Sequence, residues 1–194
     1  MGDIELVPSK SPASAKQKEI MFEAAKITFS KTPSDSEQDT AHKKDPTKYP
    51  YMCARGAYNV ARNFTRLVKG QEPTEGQNIP SQGNANGSEY WNALKDLGYT
   101  QYTVGKNLTK VQMNDYINNG IPSSSGARQP WVEGDVIVYY SSDGEKFHSQ
   151  TYTGGYSPGG WSCDRKFNWG VGFVYNRWKQ NSYTLLYFKG PTVS

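Results

Sequence analysis

The spacing of apolar residues divides the chain into a helical first part and a strand-rich second part. Apolar residues recur every three or four positions in four segments, which predicts amphipathic helices over 14–30, 50–70, 88–97 and 108–119. From Trp131 onward the period changes to two, and β-branched and aromatic residues predict strands over 135–140, 147–153, 161–167 and 182–188. Helices followed by strands are typical of the α+β class, and we expect the strands to form an antiparallel meander.

Composition separates an N-terminal arm from the rest of the chain. Residues 1–11 predict a poorly specified extended arm, and residues 31–48 contain almost no apolar side chain, which favours a solvated loop. We therefore expect two parts: an arm over 1–48, which contains the first helix, and a single domain over 49–194. Within the domain, residues 101–104 predict only a short extended piece.

Cys53 stands at the beginning of the second helix, four residues before Ala57 on the face that packs inward. The N-terminus of a helix carries partial positive charge and unpaired N–H groups, which stabilise a thiolate relative to a thiol. A cysteine in this place can act as a nucleophile, although buried cysteines are commonly structural. Whether Cys53 is catalytic or structural therefore depends on the residues that follow it in the chain.

His148 and Asp164 follow Cys53 in the order of a papain-like triad. His148 begins a predicted strand, and an imidazole within reach of a thiol can accept its proton and return it to a leaving amine. Alternation on the next strand places Ser162 and Asp164 on one face, where Asp164 can accept the second ring N–H of His148. The alternatives are an ordinary histidine beside a turn and an exposed strand acid. The three residues together favour nucleophilic catalysis.

Charge and hydropathy exclude several classes of protein. The net charge of +4 is scattered, whereas a nucleic-acid surface normally concentrates its basic residues. No run approaches the ~20 apolar residues of a membrane span, and the N-terminus lacks the pattern of a signal peptide. Two cysteines form no disulfide framework, and we find no metal-ligand spacing. We therefore expect no nucleic acid, no membrane span, no metal and no cofactor.

Several short motifs together resemble the NlpC-type cell-wall cysteine peptidases, especially a phage and bacterial branch of that family. The matching pieces are Cys53-Ala54-Arg55, Gly134-Asp135 before an apolar strand, His148 in a strand that ends at Gly154-Gly155, Gly83-Asn84-Ala85-Asn86, Leu97-Gly98-Tyr99 and Trp161-Ser162-Cys163-Asp164. The resemblance covers about residues 49–188. Met52 and Ala54 beside the cysteine, and Ser149 after the histidine, depart from the family's pattern.

The resemblance implies a papain-like fold and hydrolysis of an amide bond in peptidoglycan, within the stem peptide or at its link to the sugar. It implies Cys53 as nucleophile, His148 as general base and acid, and Asp164 as the residue that orients the histidine. Ser162 or Asn168 could replace Asp164. The backbone N–H of Cys53 would help to bind the oxyanion. The candidates for the substrate cleft are Tyr51, Asn84, Asn86 and Trp91.

A chain of this type is expected to act as a phage lysin on bacterial peptidoglycan. It would be carried in the virion, with tail proteins as partners, or made in the host cytoplasm, and it would act in the periplasm or cell wall. One alternative is a non-catalytic module that binds cell wall or virion on the same fold. Another is a secreted antibacterial amidase effector. A weaker one is a transglutaminase or other acyltransferase, which requires an amine acceptor.

Overall fold

The computed structural model describes residues 3–4, 7, 10–30, 40, 43–45, 53–74, 88–123, 126–144, 147–163 and 179–194. Helices α1 to α4 span Ala15–Ser30, Cys53–Val68, Ser88–Asp96 and Lys110–Asn119. Strands β1 to β8 span Asp3–Ile4, Thr100–Leu108, Ile121–Pro122, Arg128–Gln129, Val136–Ser141, Phe147–Tyr152, Trp161–Ser162 and Tyr183–Lys189. The predicted α+β class is confirmed.

Local capping signals mark both ends of α4 and the end of α2. At the beginning of α4, the Thr109 hydroxyl accepts the Gln112 backbone N–H, and the Gln112 side chain accepts the Thr109 N–H, which forms a capping box. Gly120 ends α4 with φ +92°, and Gly70 follows α2 with φ +70°, a region that glycine enters at little cost. All four predicted helices are confirmed within a few residues at each end.

The main sheet has six strands in the order β1-β2-β8-β5-β6-β7, and every pairing is antiparallel. The prediction of a meander is therefore only partly right. β5, β6 and β7 are successive neighbours, but β8 returns to lie between β2 and β5. β2 is also longer than predicted, because it pairs along its length with β8 and, near Gly105, with β1. Such long-range pairing has no signature in local periodicity.

The sheet carries a separate hydrophobic core on each face. On one face, α4 and the chain around Trp131 cover side chains from β2, β5, β7 and β8, among them Ile137, Tyr139 and Leu185. On the other face, α2 and α3 cover Val136, Val138 and their neighbours from β8. We call these the α4 face and the α2 face. α1 packs against α2 through a third cluster, which includes Met21 and Phe64.

The N-terminal arm is tied to the sheet by specific contacts. β1 extends the sheet beside β2, and Val7 is 1% exposed in the core of the α4 face. Ser14 donates its hydroxyl to the Val193 carbonyl, and the Gln17 side chain bonds Val193 and Glu133. The described residues between 3 and 30 are thus packed with the strands of the expected domain, while the expected boundary at residues 48 and 49 lies outside the described residues.

Candidate functional site

Cys53 is the first residue of α2, as the sequence predicts for a nucleophile at a helix N-terminus. The helix continues for sixteen residues because its apolar positions align along one side. Those positions are fully buried: Ala57, Val60, Ala61 and Phe64 are each 0% exposed. The Cys53 side chain itself lies outside the described part, so its part in catalysis stays a prediction.

Two close contacts hold α2 against the sheet. The Thr151 hydroxyl on β6 donates to the Ala57 carbonyl across 2.8 Å, one turn after Cys53. Farther along the helix, Phe64 lies so near Gly134 that a Cβ atom at residue 134 would come within 2.4 Å of the phenyl ring. Gly134 belongs to the Gly-Asp pair that precedes β5, so its lack of a side chain permits the close approach of α2.

His148 lies on β6 directly opposite Tyr139 of β5. It is 3% exposed, and its ring centre is 5.4 Å from that of Tyr139. Tyr139 belongs to the core of the α4 face, together with Leu185, its partner on β8. Because residues directly opposite each other on neighbouring strands share a face, His148 also lies on the α4 face.

The register of β6 turns His148 away from the Cys53 helix. Thr151, which bonds α2, lies three residues from His148, and successive side chains on a strand alternate between faces. Phe147, next to His148, packs with the core of the α2 face, and the pairing of β6 with β5 runs without a shift. The described residues therefore do not bring His148 and the helix that begins at Cys53 to one face. A direct contact between them stays a prediction.

Of the three candidates for the third member of the expected triad, only Ser162 lies within the described residues. Asp164 and Asn168 lie outside the described residues. Ser162 lies opposite Thr151 and so shares the α2 face, not the face of His148. It is 0% exposed, and its hydroxyl has no hydrogen-bond partner among the described residues. Cys163, the second cysteine, is 1% exposed.

Trp91, the described member of the expected substrate cleft, lies in an aromatic group on the α2 face. Its ring stacks on Tyr140 with centres 6.0 Å apart and planes 29° apart. Tyr58 and Phe147 pack against the same cluster, so residues from α2, α3, β5 and β6 contribute. Sequence analysis missed these three partners, although Tyr58 follows Cys53 by little more than one helical turn. Tyr51, Asn84 and Asn86 lie outside the described residues.

Sequence analysis also missed a buried ion pair at the beginning of β5. Lys10 places its Nζ 2.5 Å from Asp135 Oδ2, and the two side chains are 4% and 5% exposed. Asp135 also accepts the Val132 N–H at 2.8 Å and the Tyr187 hydroxyl at 3.0 Å. The Lys10 ammonium lies 4.9 Å from the ring centre of Trp131 and 4.7 Å from that of Tyr187. No pattern around Lys10 in the sequence predicts this burial.

Burial is the largest cause of the pKa shift of both Lys10 and Asp135. It raises the pKa of the Asp135 carboxyl above its ordinary value, and the Lys10 ammonium opposes that rise. It lowers the pKa of Lys10, and Asp135 opposes that fall. Burial, followed by the nearby Asp135 carboxylate, also raises the pKa of the Tyr187 hydroxyl. Removing water from the charged groups thus outweighs their attraction, as is common for buried ion pairs.

The described residues contain neither a cluster of metal ligands nor a membrane-spanning helix. Within the described ranges, no group of three or more His, Cys, Asp or Glu residues could hold a metal ion. None of the described helices has both the length and the apolar character needed to cross a bilayer. Comparisons of the chain with protein-family models, with curated proteins and with solved structures give no match.

Proposed function

We propose that this chain is a papain-like cysteine hydrolase that cleaves an amide bond of bacterial peptidoglycan, with Cys53 as its nucleophile. The supporting observation is the position of Cys53 at the beginning of α2, a helix that a hydrogen bond and close packing hold against β6. The helix N-terminus favours a thiolate there. The choice of substrate rests on the resemblance of the motifs to NlpC-type enzymes.

The proposed reaction has two steps. The Cys53 thiolate attacks the amide carbon, a C–S bond forms, and the carbonyl oxygen becomes an oxyanion that N–H groups at the beginning of α2 can bind. When the oxyanion collapses, the C–N bond breaks and the amine leaves with a proton from a general acid. Water then attacks the thioester, a base takes its proton, and the acid product leaves as the thiolate re-forms.

We assign the proton transfers to His148, with Asp164 as its orienting partner. Ser162 and Asn168 are the other candidates for that partner. The assignment requires the imidazole to reach the sulfur of Cys53, and the side chain of His148 lies on the α4 face in the described register. This register is the main observation against His148 as the direct base. It makes the test of His148 as important as the test of Cys53.

The register of β6, which turns His148 away from α2, also favours a second candidate function. A non-catalytic module that binds cell wall or virion needs no contact between a cysteine and a histidine. The aromatic group of Trp91 and Tyr140 could stack on sugar rings in such a module. This candidate predicts that binding to sacculi survives the loss of Cys53 and that no new amine appears.

Incubation with purified sacculi, followed by mass spectrometry of released muropeptides, separates the two candidates. We expect the wild type and Cys163→Ala, the matched control for loss of a thiol, to release fragments, and Cys53→Ala to release none. The fragment masses identify the bond. If no variant releases fragments from several wall types while all of them sediment with sacculi, the hydrolase proposal is wrong and the binding module replaces it.

His148→Gln tests the proton carrier separately. We expect release at least 100-fold slower than for the wild type, since general acid–base catalysis contributes about 10²- to 10⁴-fold. Circular dichroism must show that the variant is folded, because His148 is buried. If the folded variant retains its rate while Cys53→Ala is inactive, another residue carries the proton. For the biological setting, we infer a phage lysin, and a secreted amidase effector remains the second choice.

A further inference from the structure

Lys10 occupies a cage that has the form of a receptor for an amino group. Trp131 and Tyr187 form two aromatic walls, and Asp135 supplies a carboxylate that contacts the ammonium directly. Aromatic faces attract a cation through their quadrupole, and a carboxylate adds a charge-assisted hydrogen bond. We call Trp131, Asp135 and Tyr187 the ammonium cage.

The ammonium cage is held in shape by residues other than Lys10. The Trp131 indole N–H donates to the Tyr116 carbonyl at 3.0 Å, and Asp135 accepts from the Val132 N–H and the Tyr187 hydroxyl. The rings of Trp131 and Tyr187 also contact edge to face, 5.6 Å between centres. All three cage residues are at most 7% exposed. The domain core therefore builds the cage, and the arm only fills it.

The described residues of the arm that carries Lys10 make other contacts with the sheet: Val7 lies buried in the core of the α4 face, and its carbonyl accepts the Gln129 side-chain N–H. β1 pairs with β2 through two residues, Val7 forms a single bridge to Ser123, and the Lys10 N–H donates to Gln129. A cavity of about 130 Å³ is lined by Lys10, Asp135 and Tyr187 together with the chain after β8. Gln17, Glu133 and Lys189 are among its lining residues. Space for a ligand thus exists beside the cage.

We propose that the ammonium cage is a binding site for a primary alkylammonium group and that Lys10 is its intramolecular ligand. When the arm withdraws, the ammonium group of a lysine side chain or of a diamine from another molecule can take the place of the Lys10 ammonium. The contact of Lys10 Nζ with Asp135 requires a cation that carries an N–H donor, and a primary alkylammonium is the form that Lys10 itself presents. The site is separate from Cys53 and does not depend on hydrolysis of peptidoglycan.

Chemical rescue of Lys10→Ala tests the proposal in the full chain. This substitution removes three carbons and the ammonium, which n-propylammonium supplies. We expect n-propylammonium to raise the Tm of Lys10→Ala in a saturable way, by about 3–6 °C at ten times its Kd. The wild type should show no such rise, because Lys10 fills the cage. All samples are kept at one pH and one ionic strength.

Three controls isolate the chemistry. Neutral n-propanol tests for simple filling of the cavity, tetramethylammonium tests for a cation without an N–H, and Lys10→Ala/Asp135→Asn tests for the carboxylate. None of these should reproduce the saturable rise. An equal rise with n-propanol or tetramethylammonium, an equal rise in the double variant, or no rise at all would overturn the proposal.

If Lys10→Ala is isolated unfolded, the measured quantity becomes the folded fraction by circular dichroism during titration with the amine. Folding that returns with n-propylammonium, and not with n-propanol or tetramethylammonium, supports the cage. A chain that stays unfolded with every additive overturns it. Because both readouts follow folding and not hydrolysis, the result is independent of the sacculus experiment.

Discussion

Thr151 on β6 donates its hydroxyl to the backbone carbonyl of Ala57 on α2 across 2.8 Å, and both residues are 0% exposed. Ala57 lies one turn after Cys53, so this bond sets the position of the helix N-terminus over the sheet. It also identifies the face of β6 that meets α2. The bond therefore shows that the helix beginning at Cys53 lies over the face of β6 that carries Thr151, whereas His148 lies on the opposite face.

Replacing Thr151 with valine removes this bond and keeps the shape of the side chain. We expect the free energy of unfolding to fall by about 0.5–1.5 kcal/mol, the usual net value of one buried hydrogen bond. Urea denaturation measures the change. Thr103→Val on β2 is the control, because the Thr103 hydroxyl makes no bond to a described residue, and it should change stability by less than about 0.5 kcal/mol. Equal losses in both variants would contradict the prediction.

Gly134→Ala should loosen α2 from the sheet. Gly134 has φ +105°, and an added Cβ would lie 2.4 Å from Phe64 Cε1. A left-handed conformation costs a residue with a side chain about 1–2 kcal/mol, and overpacking adds about 1–3 kcal/mol. We therefore expect the free energy of unfolding, measured by urea denaturation, to fall by about 2–5 kcal/mol.

Gly98→Ala is the matched control for Gly134→Ala. Gly98 has φ +94°, and an added Cβ would meet no atom within 4 Å. It carries the backbone cost alone, about 1–2 kcal/mol. If Gly98→Ala is as damaging as Gly134→Ala, the contact with Phe64 is not a constraint on the position of α2.

The buried pair of Lys10 and Asp135 should make stability depend on pH in a distinctive way. The folded state holds the Asp135 proton more tightly than the unfolded chain, so this contribution is full below 3.8 and is lost as pH rises through the raised pKa. The lowered pKa of Lys10 gives a contribution that is full above 10.5 and is lost as pH falls through the folded-state value.

The comparison is with Lys10→Met/Asp135→Asn, which removes both charges and keeps most of the side-chain volume. Urea denaturation across the pH range gives the unfolding free energy of each protein. We expect the wild type, measured relative to this variant, to be least stable at intermediate pH and to gain toward both extremes. A difference that is greatest near neutral pH would show that attraction within the pair outweighs its burial.

The two cysteines should differ sharply in reactivity. A thiolate stabilised at the beginning of α2 should still react with iodoacetamide at pH 6, where an ordinary thiol is protonated. Cys163 is 1% exposed and should react at least roughly tenfold more slowly in the folded protein. Peptide mass spectrometry after timed alkylation gives both rates. A Cys53 rate that falls tenfold for each pH unit below 8 would contradict the prediction.

Local signals in the sequence predict the helices and the β5–β6 hairpin. Thr109 and Gly120 mark the ends of α4, and Asp143-Gly144 marks a turn between strands that do pair. The place of β8 between β2 and β5 has no such signal, because partner choice depends on contacts between distant residues.

The sequence predicts the helix and the strands that carry the candidate site residues, but not which of their faces meet. The spacing around Cys53 predicts a helix over 50–70 with Cys53 in its first turn, and a helix over Cys53–Val68 confirms the element. Period-two alternation predicts that Ser162 lies on the opposite face from Trp161. This is confirmed, because Trp161 belongs to the core of the α4 face and Ser162 lies opposite Thr151, which bonds α2. It cannot say which face of β6 meets α2, since both faces of β6 are buried and Ser149 and Thr151 are polar. A lone lysine in a polar arm likewise gives no sign of the cage that it fills.

The position of β8 has a consequence for the order in which this protein can form. β8 follows every other strand in the chain, yet both of its edges are paired, to β2 and to β5. Until residue 189 has left the ribosome, β2 and β5 each present an unpaired edge to other chains. A nascent chain is therefore open to misassembly from the synthesis of β5 until β8 emerges, and a chain that stops before residue 183 would contain two sheet fragments with no shared strand.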